Sequence, residues 1–290
     1  MCDAFAPFHS NHGCHSSRDF ISSCLFVFFV AINKIMSAII AGNHTWKLDG
    51  AFAELHGSLL TARVDVSRPD LGLRHLQLNG HDLPGHLLAV RRHAETPIFN
   101  SNWPLPLADA YVRGDDLVAT YQPTDDWPYS PQLYWSARPL EAIDALLGSL
   151  SLLISVQTHL LDTWPRMNVG SQLACQELLQ VDPSADTTLR LQPNGTIRPS
   201  TGACCVLHRL AEPAISYVEI MPASDFRELS VRHDAGRGYR AEWHLFADFL
   251  EKGVIRRARL QCAFLPRKND VQLSFACCAA MNQRPLPLTT

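Results

Sequence analysis

A chain of 290 residues, 47% apolar and 18% charged, carries enough apolar material for a large core and is neither disordered nor fibrous. The formal net charge of −3 arises from acids and bases mixed along the chain, without the basic stripe that nucleic-acid binding requires. HExxH, GxSxG, P-loop, GxGxxG and EF-hand patterns are all absent, so no nucleic-acid partner, metal or cofactor is expected.

Residues 1–35 differ in composition from the rest of the chain and are expected to lie outside the fold. They hold Cys2, Cys14, Cys24, His9, His12 and His15, then an apolar run from Cys24 to Ile32. The run has the length of a signal-peptide core, but Asp3, Arg18 and Asp19 give no basic region before it. It is too short for a membrane span, and the cysteine and histidine spacing fits no established metal site. A third reading is that translation begins at Met36, which leads directly into patterned sequence. Residues 36–290 are expected to form one domain without membrane contact, cytoplasmic unless residues 1–35 are a signal peptide and the protein is secreted.

From Gly57 onward the dominant period is two, as half-buried strands require. Leu60, Ala62, Val64 and Val66 share one face, with Thr61, Arg63 and Asp65 opposite. Asn79-Gly80 predicts a tight hairpin turn, with a return strand through Leu87 to Val90. Ala110 to Val112 and Leu117 to Tyr121 predict a second hairpin. Its turn contains Arg113-Gly114-Asp115, an integrin-type tripeptide that turn chemistry explains. Residues 149–161 alternate most clearly, and further strands are expected over 204–209, 216–221, 228–232 and 254–264. Val271, Leu273, Phe275 and Cys277 extend the same rhythm. Helix is expected only over 140–147 and 170–179, while 243–251 fits helix or hairpin. Many strands separated by turns predict an all-β protein, a large antiparallel sandwich with few short helices.

Two groups of residues carry candidate chemistry. Trp103, Tyr111, Tyr121, Trp127, Tyr129, Tyr134 and Trp135 interleave with Asp109, Asp115, Asp116, Asp125 and Asp126. Aromatic faces beside carboxylates suit a sugar, although large aromatics also fill cores. The second group is the polar strand faces: Gln157 with His159, Glu219 beside Tyr217, Arg240 with Glu242 and His244, and Arg257 with Arg259 and Gln261. On one concave sheet they would form a groove; otherwise they are solvent faces. The nine cysteines match neither zinc knuckles nor a disulfide framework, and buried free thiols are expected. Asn43 and Asn194 open glycosylation sequons without other signs of secretion.

The succession of long alternating strands, with Gly253-Val-Ile-Arg-Arg-Ala-Arg-Leu260 entering a late one, resembles the galactose mutarotase-like supersandwich proteins, which include the aldose 1-epimerases. The resemblance implies sugar binding on a broad sheet and, in the epimerases, a histidine general acid with a glutamate general base. By strand position His159 and Glu219 are the nearest catalytic candidates. Trp127, Trp135, Gln157, His244 and Arg257 are the corresponding ligand-binding candidates. The expected function is carbohydrate binding or a divergent epimerase with a small-molecule sugar as partner. The alternative is a β-sandwich module that binds a protein.

Overall fold

The computed structural model describes residues 45–93, 103, 105–137, 140, 143, 145–199, 203–234 and 236–283. The cysteines and histidines of residues 1–35, the alternative start at Met36 and Asn43 lie outside them, as does part of the expected helix over 140–147. The described residues belong to one compact unit spanning 42–290.

In chain order the strands are β1 (Thr45–Asp49), β2 (Phe52–His56), β3 (Leu60–Asp65), β4 (Arg74–Leu78), β5 (His81–Leu83), β6 (Gly85–Arg92), β7 (Leu107–Arg113), β8 (Asp116–Tyr121), β9 (Tyr129–Ser136) and β10 (Gly148–Thr158). They continue with β11 (Met167–Leu173), β12 (Cys175–Asp182), β13 (Thr187–Arg190), β14 (Thr196–Ile197), β15 (Ala203–Leu210), β16 (Ile215–Pro222), β17 (Glu228–Asp234), β18 (Gly238–Leu245) and β19 (Arg256–Pro266), and helix α1 (Asp270–Gln283) comes last. The fold is all-β, as the period-two pattern predicts.

Three antiparallel sheets result: a meander β1-β2-β3-β4-β5, a nine-stranded sheet β13-β12-β15-β16-β19-β10-β9-β8-β7, and a five-stranded sheet β14-β17-β18-β11-β6. Asn79 and Gly80 both adopt positive φ, which permits the tight turn, but the return strand is β5. Leu87 to Val90 instead belong to β6, which pairs with β11 in another sheet.

Residues from all three sheets join one apolar core, in which each fully buried Leu or Val stabilises by about 1.5–3 kcal/mol. Leu150, Leu152, Ile154 and Val156 of β10 enter it, as do Leu60, Ala62 and Val64 of β3. Polar side chains join the sheets across this core. The Tyr121 hydroxyl donates to the Val66 carbonyl at 2.6 Å, and Ser171 on β11 lies 3.2 Å from the Tyr217 hydroxyl on β16.

On the other face of the nine-stranded sheet, α1 packs against β12, β15, β16 and β19. Residues 271–277 were expected to be strand, and the helix corrects that reading. Their odd-numbered apolar residues mimic a period of two, whereas the buried residues Asp270, Ser274, Cys277, Cys278 and Met281 follow the helical spacing of four, three, one and three. Asp270 anchors the helix through two 2.9 Å bonds from Arg209 and one of 2.7 Å from Ser216. The helix expected over 170–179 is likewise replaced by parts of β11 and β12. Five of the six described cysteines are buried.

Candidate functional site

The outward face of the sheet β14-β17-β18-β11-β6 concentrates polar groups. Antiparallel register aligns Arg91, Asn168, His244 and Glu228 in one row across β6, β11, β18 and β17. The next row holds Gly170, Glu242 and Ser230, and the third Gln172, Arg240 and Arg232. Gly170 sits opposite Glu242, and a Cβ there would come within 3.0 Å of the Ala241 carbonyl. The same Cβ would lie 3.6 Å from Glu242 Cγ, so the glycine leaves the Glu242 side chain room to lie across the strand.

A cleft of about 410 Å³ opens at the end of these rows, lined in part by His93, Arg166, Asn168, Arg227, Glu228, His244 and Asp248. The histidine rings meet edge to face, with centroids 5.3 Å apart. Asn168 links them to the second row: its Oδ1 lies 3.3 Å from His93 Nδ1, and its Nδ2 donates to Glu242 Oε1 at 3.5 Å. His244 Nε2 is 2.9 Å from the Ser230 hydroxyl.

Burial lowers the His244 pKa, against an opposing pull from Glu242, so the ring is neutral near pH 7. Burial, aided by Arg91 and Arg240, depresses His86 to about 4. Arg91 is also half-buried, and its Nη1 has no hydrogen-bond partner among the described residues. In the third row Asp234 accepts from Gln172 at 2.8 Å and from Arg240 at 3.2 Å. No group of three or more His, Cys, Asp or Glu able to hold a metal exists among the described residues. No helix among them is long and apolar enough to cross a membrane.

The expected residues are dispersed, and His244 is the only one of them lining this cleft. Glu219 is fully buried, because its parity on β16 points it between the sheets. There its carboxylate accepts from Trp243 Nε1 at 2.7 Å and from the Tyr217 hydroxyl at 3.1 Å. Gln157 and Arg257 are exposed on the opposite face of the nine-stranded sheet, where Ser155 pairs with Arg257. His159 is exposed in the bend after β10.

The expected pairing of His159 with Glu219 is thereby corrected: a core-facing carboxylate does not share a surface with an exposed histidine. Trp127 and Trp135 are buried at 3% and 1% exposure, so they form core rather than a ligand rim. Trp127 packs edge to face on Trp103 and Tyr129, at 5.9 and 5.2 Å. Sequence reasoning misses Asn168 and His93. Every residue of β11 is buried, so its sequence shows no alternation to mark Asn168 as outward-facing. His93 stands just past β6 with no pattern around it.

The three-sheet arrangement is the galactose mutarotase-like supersandwich fold. A solved structure of a candidate aldose 1-epimerase from Klebsiella pneumoniae subsp. pneumoniae matches it with a TM-score of 0.53 at 9% identity, over 84% of this chain and 90% of that one. A candidate aldose 1-epimerase from Escherichia coli K12 is similar over 76% of this chain and 98% of its own, with a TM-score of 0.48 and 7% identity. A GH36 α-galactosidase from Geobacillus stearothermophilus matches over 76% of this chain and 41% of its own, with a TM-score of 0.45 and 7% identity. No family model matches the sequence, and no curated protein is similar to it.

Proposed function

We propose that the cleft between His93, Asn168, Glu228 and His244 binds a carbohydrate. The observation that carries this reading is the lining itself: cationic Arg166 and Arg227, anionic Glu228 and Asp248, and neutral hydrogen-bonding groups surround one cleft. Its 410 Å³ lies within the range for small-molecule sites, roughly 300–1,000 Å³. A lining of balanced charge and dense donors and acceptors suits a neutral, hydroxyl-rich ligand. An apolar ligand would leave these groups unpaired, and a phosphate would face the two carboxylates. The similar Klebsiella fold belongs to a candidate aldose 1-epimerase, which agrees with a sugar ligand.

Opening a sugar ring requires one group to protonate the ring oxygen and another to take the anomeric proton. His244 and Glu228 are cross-strand partners that both line the cleft, which supports assigning them this exchange. NMR titration with aldoses, with anomer exchange followed in the same tubes, tests both parts. Millimolar binding, worth about 4 kcal/mol, is expected. His244→Ala should weaken it about tenfold or more, while His159→Ala should leave it unchanged. Glu228→Gln should stop any exchange. Chemical shifts unmoved by every sugar would reject the reading and favour a module that binds protein.

A further inference from the structure

The ladder between β11 and β18 does not stop at the cleft. Beyond Met167 and Leu245, residues 163–166 continue antiparallel to 246–250. Arg166 N–H donates to the Phe246 carbonyl at 3.2 Å, Leu250 N–H to the Thr163 carbonyl at 2.8 Å, and Thr163 pairs with Leu250. Thr163 and Leu250 face inward and are buried, so Trp164 and Phe249 face out as a cross-strand pair. Arg166 follows Trp164 by two residues and Asp248 directly precedes Phe249, and both line the cleft, so each ring is carried by a segment that also borders it.

The rings of Trp164 and Phe249 meet edge to face, 5.8 Å apart and inclined by 67°. They remain 48% and 37% exposed, unlike the tryptophans at positions 46, 103, 127, 135 and 243, which are all buried. Arg256 fixes the loop that carries Phe249, donating to the Phe249 carbonyl at 3.0 Å and pairing with Asp248 at 3.4 Å. An exposed, fixed aromatic pair next to a hydrophilic cleft offers open ring faces to C–H bonds of a ligand already held at its other end.

We infer that Trp164 and Phe249 form a second sugar subsite, so the ligand class is an oligosaccharide rather than a free monosaccharide. The terminal ring enters the cleft at His93 and His244, and the next ring stacks on the aromatic pair. This inference rests on the sugar reading of the cleft.

The test titrates glucose and galactose against maltose, cellobiose and lactose, using the intact chain and its Trp164→Ala and Phe249→Ala variants, with melting temperature and sedimentation as controls. At least one disaccharide should bind about tenfold more tightly than its monosaccharide, the increment one added aromatic contact supplies. Trp164→Ala should erase that advantage, leave monosaccharide affinity unchanged and keep the fold, since the ring is half exposed. Disaccharides binding no better than monosaccharides, or a Trp164→Ala variant weakening both alike, would overturn the subsite while the cleft reading stands. Failure of every sugar to bind would overturn both. A dimer that Trp164→Ala converts to monomer would assign the aromatic pair to contact between two copies and likewise overturn the subsite.

Discussion

Glu219 and Glu242 are both carboxylates near β18, on opposite sides of its sheet, and their surroundings differ in kind. Glu219 reaches Trp243 of β18 from the core side and is sealed from water, accepting from a buried tryptophan and a buried tyrosine. Glu242 adjoins Trp243 in sequence but faces outward, with a 3.5 Å bond from Asn168 and only a glycine, Gly170, opposite it. A saturated buried network fixes a structure, whereas half-satisfied groups beside a cleft are free to turn to a ligand. The same strand thus supplies a structural bond and the floor of a site.

Breaking the inner half should have the largest effect. Glu219→Ala leaves two buried donors unpaired and opens a cavity, so urea unfolding should show a loss of about 3–5 kcal/mol. The next effect depends on pH. His208 is fully buried, and burial depresses its pKa to about 3. Its imidazole stays neutral in the fold while the unfolded chain takes up a proton. Stability is therefore complete above about pH 6.5 and is lost as pH falls toward 3. Near pH 4.5 the loss should be on the order of 2–3 kcal/mol relative to neutrality, and His208→Gln should abolish it. Burial raises the Glu219 pKa, so this group works in the opposite sense and favours the fold as pH falls through its range. The acid loss should be steeper in Glu219→Gln.

Trp243→Phe removes the N–H to Glu219 and should cost about 2 kcal/mol in the same unfolding experiment, with sugar affinity intact. The smallest stability effect should come from the outer face. His244→Ala should change stability by less than about 1 kcal/mol, because the 2.9 Å Ser230 contact and the edge-to-face contact with His93 are lost from a partly exposed ring. A loss of 3 kcal/mol there, or loss of sugar affinity in Trp243→Phe, would erase the division between the two halves.

The strand rhythm is legible wherever one face meets the core and the other meets water, as in β3 and β10. It fails where both faces are covered. Val218 and Ile220 are as buried as Tyr217 and Glu219, because α1 packs on the second face of β16. Nothing in that run shows which parity points inward, and its polar residue, outward by the usual rule, is the inner one. Arg240, Glu242 and His244 do share one face as expected, since Ala241, Trp243 and Leu245 alternate with them and are buried. The assembly of that face with Asn168 and His93 is not legible, because it depends on β11 lying between β6 and β18. That adjacency joins segments about 75 residues apart. The aromatic-rich stretch from Trp103 to Trp135 misleads because its composition is the same whether the rings line a groove or fill a core.

The alternation along β18 also restricts how this gene can change length. Inserting or deleting one residue between Arg240 and Leu245 would reverse every side chain beyond it, driving Glu242 or His244 into the core and turning Trp243 out to water. Point substitutions on the outer face can accumulate and retune the ligand while the fold persists. Single-codon indels in the same strand would destroy cleft and core together, so diversity among descendants of this sequence should appear there as replacements, with length variation confined to the turns at either end.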